Sequence, residues 1–584
     1  MKQPSRLPLI LTAVSVYAVI VLGAIVRASQ GGGCPDWPTC YGGWTMPALP
    51  VAQLDYLHRA LTLLSGGLLA WAVWGARKAG RAVRRPLWIG AALMGVEALL
   101  SGAALIASPL AWQTAIHMGL ALGILAAVLT ALAASWSAHP FSPRLPFTRL
   151  GLLTLGSIFL LYLSGSLVAV TGAAAACPDW PLCNGLVWPV DALAWLNFTH
   201  RILVLFAALQ VTMLFWQAWR TQRSHTPVLV SATAAEVLFG AQALLGAQGF
   251  PPHLLALHTA TSAAVWAALA LTVAFSAASG HTLADSRADA LAWRERSARG
   301  MAAAFLQLTK PIVVLLLLVT TYAGMVIGLQ AWPDWKVTFW TLLGGFLAAG
   351  GSGAINQYID RFDDRKMQRT EKRPIPSGRL TPAEGLAFGV GIALASFYLI
   401  TAFVNLLAAL LSLAGIFYYV VLYSLLLKKT TVQNIVIGGG AGALPPLVGW
   451  AAATGSLTFP SLLLFVLVFL WTPPHFWALA IVRRKDYARA GVPMLPVVRG
   501  EAETRWQVFV YTIELVAATL LFPLLGLGGA LYVILAAVLG LWLLGTAYRV
   551  WKGSGNKIAW KMYRYSSMYL AFIFIALMAD RLLF

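Results

Sequence analysis

LPLILTAVSVYAVIVLGAIV, residues 7–26, runs for twenty residues without a charge. Crossing the hydrocarbon core of a bilayer takes about 20 apolar residues in a helix. Similar runs recur almost to Phe584, about eight before residue 280 and about nine after residue 310. The 584-residue chain is 59% hydrophobic and 10% charged, whereas soluble domains carry about 25% charged residues. Strict period-2 alternation is absent, which excludes a transmembrane barrel. Lipid offers no partner to a free N–H or C=O, so the spanning backbone must be helical. The expected fold is an all-α polytopic membrane protein of about 17 transmembrane helices.

The net charge of +21 is distributed in a way that excludes nucleic acid as its partner. Lys2 and Arg6 precede the first run. Arg77, Lys78, Arg81, Arg84 and Arg85 fill the second loop, Arg144 and Arg149 lie at the fourth, and Arg220 and Arg223 at the sixth. The loops between, 28–52 and 173–194, hold acidic residues and no Lys or Arg. This alternation is the positive-inside pattern and puts the N-terminus and the basic loops in the cytoplasm. The first run lacks a small-residue cleavage site and leads into further spans, so it reads as a retained helix. All four cysteines fall in the two external loops, as Cys34 with Cys40 and Cys177 with Cys183. An oxidising face permits two local disulfides. Zinc is the alternative, but no nearby histidines complete a tetrahedral set.

An internal repeat organises the first half. CPDWPTC at 34–40 returns as CPDWPLC at 177–183, and DYLHRA at 55–60 as NFTHRI at 197–202. Glu97 with His117 returns as Glu236 with His258, all at offsets near 140 residues. The copies, about 8–140 and 148–278, predict two pseudo-symmetric four-helix bundles within a domain over 1–278. Residues 279–304 are polar and charged and read as a cytoplasmic linker. A second domain of nine helices follows over 305–584.

His58, His117, His200 and His258 each sit near the external end of a run. An ionisable residue at membrane depth is costly and usually functional. Imidazoles from facing helices ligate haem iron from opposite sides. A lone histidine reads more simply as an interhelical hydrogen-bonding group, but four in two duplicated pairs favour haem. Arg59 and Arg201 follow two of them as candidate propionate partners. Glu97 and Glu236 read as interhelical hydrogen-bonding groups. Together these features resemble haem A synthase over about residues 8–278. The resemblance implies oxidation of a haem methyl group to formyl through hydroxylated intermediates. It also implies that His200 and His258 hold a haem b cofactor, that His58 and His117 receive the substrate haem, and that Asp55 is catalytic where the family usually has Glu.

In the second half, NQYIDRFDDRKMQRTEKRPIPSGRL begins at Asn356. Asn356, Asp360 and Asp364 recur every four residues and share one helical face. Unpaired carboxylates at that spacing repel each other, so a plain solvated face explains them poorly. Oxygen ligands on one face suit Mg²⁺, which bridges to phosphate. Arg365, Arg369, Lys372 and Arg373, with Lys428 and Lys485, are candidate diphosphate ligands. The segment resembles the first aspartate motif of the intramembrane prenyltransferases, specifically the protohaem IX farnesyltransferases. The likeness extends through LTKP at 308–311, LKKTTVQNIVIGGGAGALPPLVGW at 427–450, WTPPHFWALAI at 471–481 and DYARAGVPMLPVV at 486–498. It implies Mg²⁺ held by Asn356, Asp360, Asp364 and Asp486, and farnesyl transfer from farnesyl diphosphate to protohaem IX, giving haem O.

The two resemblances place consecutive steps in one chain of a bacterial inner membrane, with protohaem IX, haem O and farnesyl diphosphate as substrates. Membrane lipid, an electron donor or acceptor, cytochrome oxidase assembly factors and further copies of the chain are the partners they allow. The competing reading is a b-type electron-transfer or haem-transport module joined to a quinone-precursor prenyltransferase.

Overall fold

The computed structural model describes residues 5–29, 33–36, 39–106, 111–137, 139, 141–143, 145–177, 179, 183, 188–248 and 252–584. Arg144, Lys2 and most of the second cysteine loop lie outside them. The described residues contain helices and no strand. The chain divides into two compact units, Met1–Glu295 and Arg296–Phe584.

The described residues of the first unit form eight long helices. These are α1 (Arg6–Ala28), α2 (Pro50–Gly75), α3 (Arg81–Ile106), α4 (Ala111–Ser135), α5 (Pro146–Thr171), α6 (Ala192–Thr221), α7 (Thr226–Ala247) and α8 (Pro252–Ala278). Proline in the first turn starts α2, α5 and α7, where its missing N–H costs nothing. Asp191 caps α6 by accepting from the Ala194 amide. Helices α1–α4 and α5–α8 are the two sequence copies. They meet through α1, α4, α5 and α8, while α2, α3, α6 and α7 pack outside that contact. Trp266 of α8 donates to the Leu122 carbonyl of α4 at 2.8 Å, and Tyr17 of α1 to the Ala260 carbonyl of α8 at 3.1 Å. Each bond satisfies a polar group that lipid would leave unpaired. After α8 the chain forms a helix over Leu283–Arg294, started by a reciprocal Thr282–Asp285 cap. Trp293 then packs edge-on against Trp216 and Trp219 of α6.

In the second unit the helix Ala298–Leu308 leads into nine long helices. They are α9 (Pro311–Leu329), α10 (Trp335–Asp364), α11 (Pro382–Phe403), α12 (Leu406–Leu427), α13 (Asn434–Thr454), α14 (Phe459–Val482), α15 (Gly500–Leu525), α16 (Ala530–Lys552) and α17 (Asn556–Leu583). Each packs on its chain neighbours, and α17 returns to touch α9 and α14, so the bundle closes into a ring. Buried carboxylates away from the polar rim have structural partners. Asp580 of α17 accepts from the Gly529 and Tyr532 amides at the start of α16, and Glu384 caps α11 and takes Arg296 at 2.8 Å.

Helices α9 and α13 approach most closely at glycine. A Cβ on Gly449 would lie 1.8 Å from the Thr321 carbonyl oxygen, and one on Gly324 would lie 2.2 Å from that of Pro446. The obstacle is backbone, which cannot rotate away. Gly449→Ala is therefore expected to cost about 1–3 kcal/mol, read as a lowered unfolding midpoint in detergent.

Among the described residues, fifteen helices are long and apolar enough to cross a membrane, six in the first unit and nine in the second. Helices α2 and α3 are each 26 residues long, but Asp55, His58 and Arg59, and Arg81, Arg84 and Arg85, lie within their first three turns. The large apolar side chains Leu99, Leu153, Leu209, Leu524 and Leu541 point outward, while Asp360, Asp364, Glu384 and Asp580 are buried. That inversion is expected when the solvent is lipid. The protein is a multi-pass, all-helical membrane protein.

Candidate functional site

In the first unit each histidine sits on a different helix. His58 is on α2, His117 on α4, His200 on α6 and His258 on α8. His58 and His117 are electrostatic neighbours, and so are His200 and His258. Small residues make room for the rings. A Cβ on Gly23 of α1 would lie 3.0 Å from His58 Cε1, and one on Gly165 of α5 the same distance from His200 Cε1. The two glycines occupy matching positions of the two copies. Polar support differs between the copies. Ser164 Oγ lies 2.9 Å from His200 Nδ1, whereas in the first copy Glu97 contacts His117 Nδ1. Glu236, the counterpart of Glu97, accepts instead from the Thr212 hydroxyl at 3.0 Å. His58 Nδ1 is buried, and no described side chain bonds to it. Two half-buried imidazole pairs, with a glycine close against His58 and another against His200, fit haem iron ligation.

Cys34 is bonded to Cys40, and Cys177 to Cys183. The loops they close are tied down by the residues flanking the histidines. Arg59 donates to the carbonyls of Cys34 (3.0 Å), Thr39 (2.8 Å) and Asp36. Asp55 accepts from the Cys34 amide at 2.8 Å and from Arg59 at 3.0 Å. The second copy repeats this with Arg201 on the Cys177 carbonyl at 2.6 Å and on Asn197 at 3.1 Å. Arg59 and Arg201, read from the sequence as propionate partners, thus spend their donors on loop carbonyls. The Asp55 carboxylate, read as catalytic, is engaged in the same clamp, and Asn197 fills its place in the other copy without a charge. Outside the spans, hydrogen bonds from the Thr39 hydroxyl and then from loop amides hold the Asp36 carboxyl below its ordinary value.

In the second unit the last three turns of α10 carry Asn356, Asp360 and Asp364, each 3% exposed. The shared face follows from their four-residue spacing. Other elements bring cations to it. Lys310, just before α9, donates to Asn356 Oδ1 at 2.8 Å. Lys428, just after α12, pairs with Asp360, and Arg373 donates to Asp364 Oδ2 at 2.8 Å. Asn356 Nδ2 bridges to Asp360 Oδ2 at 2.9 Å and to Ser424 Oγ at 3.1 Å. The sequence reading took the carboxylates as uncompensated; the structure pairs each with a cation. Burial, with Arg373 second, pushes the Lys310 ammonium down to about 7. Asp360 Oδ1 is buried without a hydrogen-bond partner, an oxygen free to meet a cation. Oxygen donors next to Lys and Arg fit Mg²⁺ shared with a polyanion.

Ser424 arrives because α12 changes to π-helix over Tyr418–Leu427, a distortion common at functional sites. Tyr419 lies in the same stretch and accepts from Lys310 at 3.3 Å. Lys310, Tyr419 and Ser424 escaped the sequence-based site, although Lys310 stood in the quoted LTKP.

The other candidates are placed differently. Arg365, Arg369 and Lys372 are exposed around the rim. Arg369 and Arg373 are electrostatic neighbours of Tyr487, so the 483–489 segment borders the same rim. Lys485 lies on its helix Arg484–Arg489. Asp486, expected as a metal ligand, is paired with Arg489, and no described contact joins it to Asp360 or Asp364. His475, inside the WTPPHFWALAI stretch and able by its residue type to contact haem or a proton, stacks between Trp471 and Tyr563 and bonds Ser566 at 2.9 Å, as a core histidine does.

Residues 317–573 match the UbiA prenyltransferase family, and residues 52–269 a cytochrome oxidase assembly protein family. A protein of Roseiflexus sp. (strain RS-1) named protoheme IX farnesyltransferase is 40% identical, covering 92% of this chain and 98% of the relative. One of the same name from Thermus thermophilus is 34% identical over all of both chains. A third, from Trichodesmium erythraeum, is 48% identical over 48% of this chain and 86% of its own length. With relatives this similar along nearly the whole of both chains, this chain is an enzyme that belongs to the protoheme IX farnesyltransferases, in the form that joins a haem A synthase-type domain to a UbiA prenyltransferase domain.

Proposed function

We propose that the second unit transfers the farnesyl group of farnesyl diphosphate to protohaem IX, giving haem O, and that the first oxidises the haem O methyl group to formyl, giving haem A. One observation carries the first step. Asn356, Asp360 and Asp364 are buried on one helical face, with Lys310, Lys428 and Arg373 delivered to it from other elements. Asp360 and Asp364, with Asn356, would hold Mg²⁺, which when bound neutralises charge on the departing diphosphate. Lys310, Lys428 and Arg373 bind the diphosphate oxygens and stabilise the leaving group as the allylic C–O bond breaks. Exposed Arg365, Arg369, Lys372 and Lys485 draw the anion to the rim. The apolar helices enclose the farnesyl chain and keep water from the allylic cation until a haem vinyl carbon attacks it. Water then adds to the remaining vinyl carbon.

For the second step, His200 and His258 would hold haem b, which when bound supplies the redox chemistry. His58 and His117 bind and orient the substrate haem, and the disulfide loops, clamped by Arg59 and Arg201, shape the external ends of these sites. Asp55 acts through the loop it fixes. Asp486, on the helix that borders the diphosphate rim, is the further carboxylate proposed for Mg²⁺. The basic loops support a cytoplasmic N-terminus in a bacterial inner membrane, with domains over 1–278 and 305–584 and a linker between.

The deciding experiment is expression of the full chain in cells that lack both activities, followed by pigment analysis. Haem O and haem A are expected. Protohaem alone, or a prenylated aromatic acid supplied in competition, overturns the reading. Haem O without haem A, with a b-type spectrum retained, assigns the first unit to electron transfer or haem transport.

A further inference from the structure

The two histidine pairs are built differently, and the difference falls on a buried carboxylate. Glu97 of α3 is 7% exposed and lies against His117 Nδ1 of α4. Ser101, one turn on, donates to the same carboxylate at 3.2 Å. The matching Glu236 of α7 turns to the Thr212 hydroxyl of α6. In the second copy it is a hydroxyl, Ser164, that meets a histidine, and the histidine is His200. Duplication supplied the same glutamate twice; among the described contacts the first lies on a histidine ring and the second on a hydroxyl.

We infer that Glu97 is a positioning residue for the substrate haem: it takes the His117 Nδ1 proton in a hydrogen bond, aims Nε2 at the iron and strengthens that nitrogen as a ligand. This rests on the proposed function, in which His58 and His117 receive haem O. An imidazole that donates to a carboxylate is fixed in one tautomer and orientation, and it is a stronger base towards a metal than one bonded to a neutral group. A stronger donor favours ferric over ferrous iron, so the haem held by His58 and His117 has a lower reduction potential than Glu97→Gln would give it.

The test uses the full chain and haem titration. Glu97→Gln is expected to weaken haem O binding at His58–His117 by about 10–100-fold and to raise the reduction potential of the haem that remains bound there. Glu236→Gln should leave both unchanged. The haem held by His200 and His258 in the same molecules reports that each variant is folded. Should Glu97→Gln lose that haem too, Glu97→Asp, which keeps the carboxylate, is read in its place and should shift potential and affinity in the same directions by less. A wild-type chain that takes up no haem O overturns this inference together with the reading beneath it. A wild-type chain that binds haem O while Glu97→Gln matches it, or while Glu236→Gln shifts as far, overturns the inference alone.

Discussion

Asp360→Asn is expected to lower haem O formation by about 10²–10³-fold, measured as haem O accumulated at equal membrane abundance. Asparagine keeps the size of the side chain and an oxygen to accept from Lys428. It removes the charge, and it puts a donor or a weaker oxygen where Oδ1 now stands without a partner. The loss therefore falls on holding Mg²⁺ and the diphosphate. Asp363→Asn is the comparison. Asp363 pairs with Lys429, whose side chain is 52% exposed, on a different face of α10, and its loss should change the rate only a few-fold. Equal losses from the two variants would mean that helix α10 matters as a scaffold and Asp360 has no special part.

His200→Ala should separate the two steps. Haem O should continue to form, while haem A falls by more than about 100-fold, because losing an outer partner of a metal-bound histidine already costs 10–100-fold and here the ligand itself is gone. Purified protein should also lose the b-type absorbance of one haem. The Ser164 contact and the Gly165 slot are specific to this ring, so the change is local and the prenyltransferase unit serves as internal control. Retention of that absorbance would remove His200 from the proposed haem site.

The fold was legible because lipid imposes length. Runs near 20 residues between charged loops have one backbone solution, and the repeat revealed the pairing of copies through residues as distinctive as the CPDWP loops. The Asn356–Asp360–Asp364 face was legible because it is local to one helix. Lys310, Tyr419 and Ser424 were not, because the contacts that bring them in join positions 46 to 109 residues apart. The π-helical turn that aims Ser424 leaves no mark in an apolar run such as YYVVLYSLLL. Arg59 misled for another reason. A helix position fixes where a guanidinium starts, but its long stem let the Cys34–Cys40 loop, folded back over α2, claim it. The pairing of Asp486 with Arg489, three residues on, was not legible either, because spacing does not fix which charges meet.

The contact between the repeats runs through α1, α4, α5 and α8, and each histidine pair joins one of these helices to one outside: His117 to His58, and His258 to His200. On the proposed function, a haem held by either pair is gripped between one helix of this inner contact and one helix outside it, α2 or α6, so the spine that joins the repeats carries only half of each site.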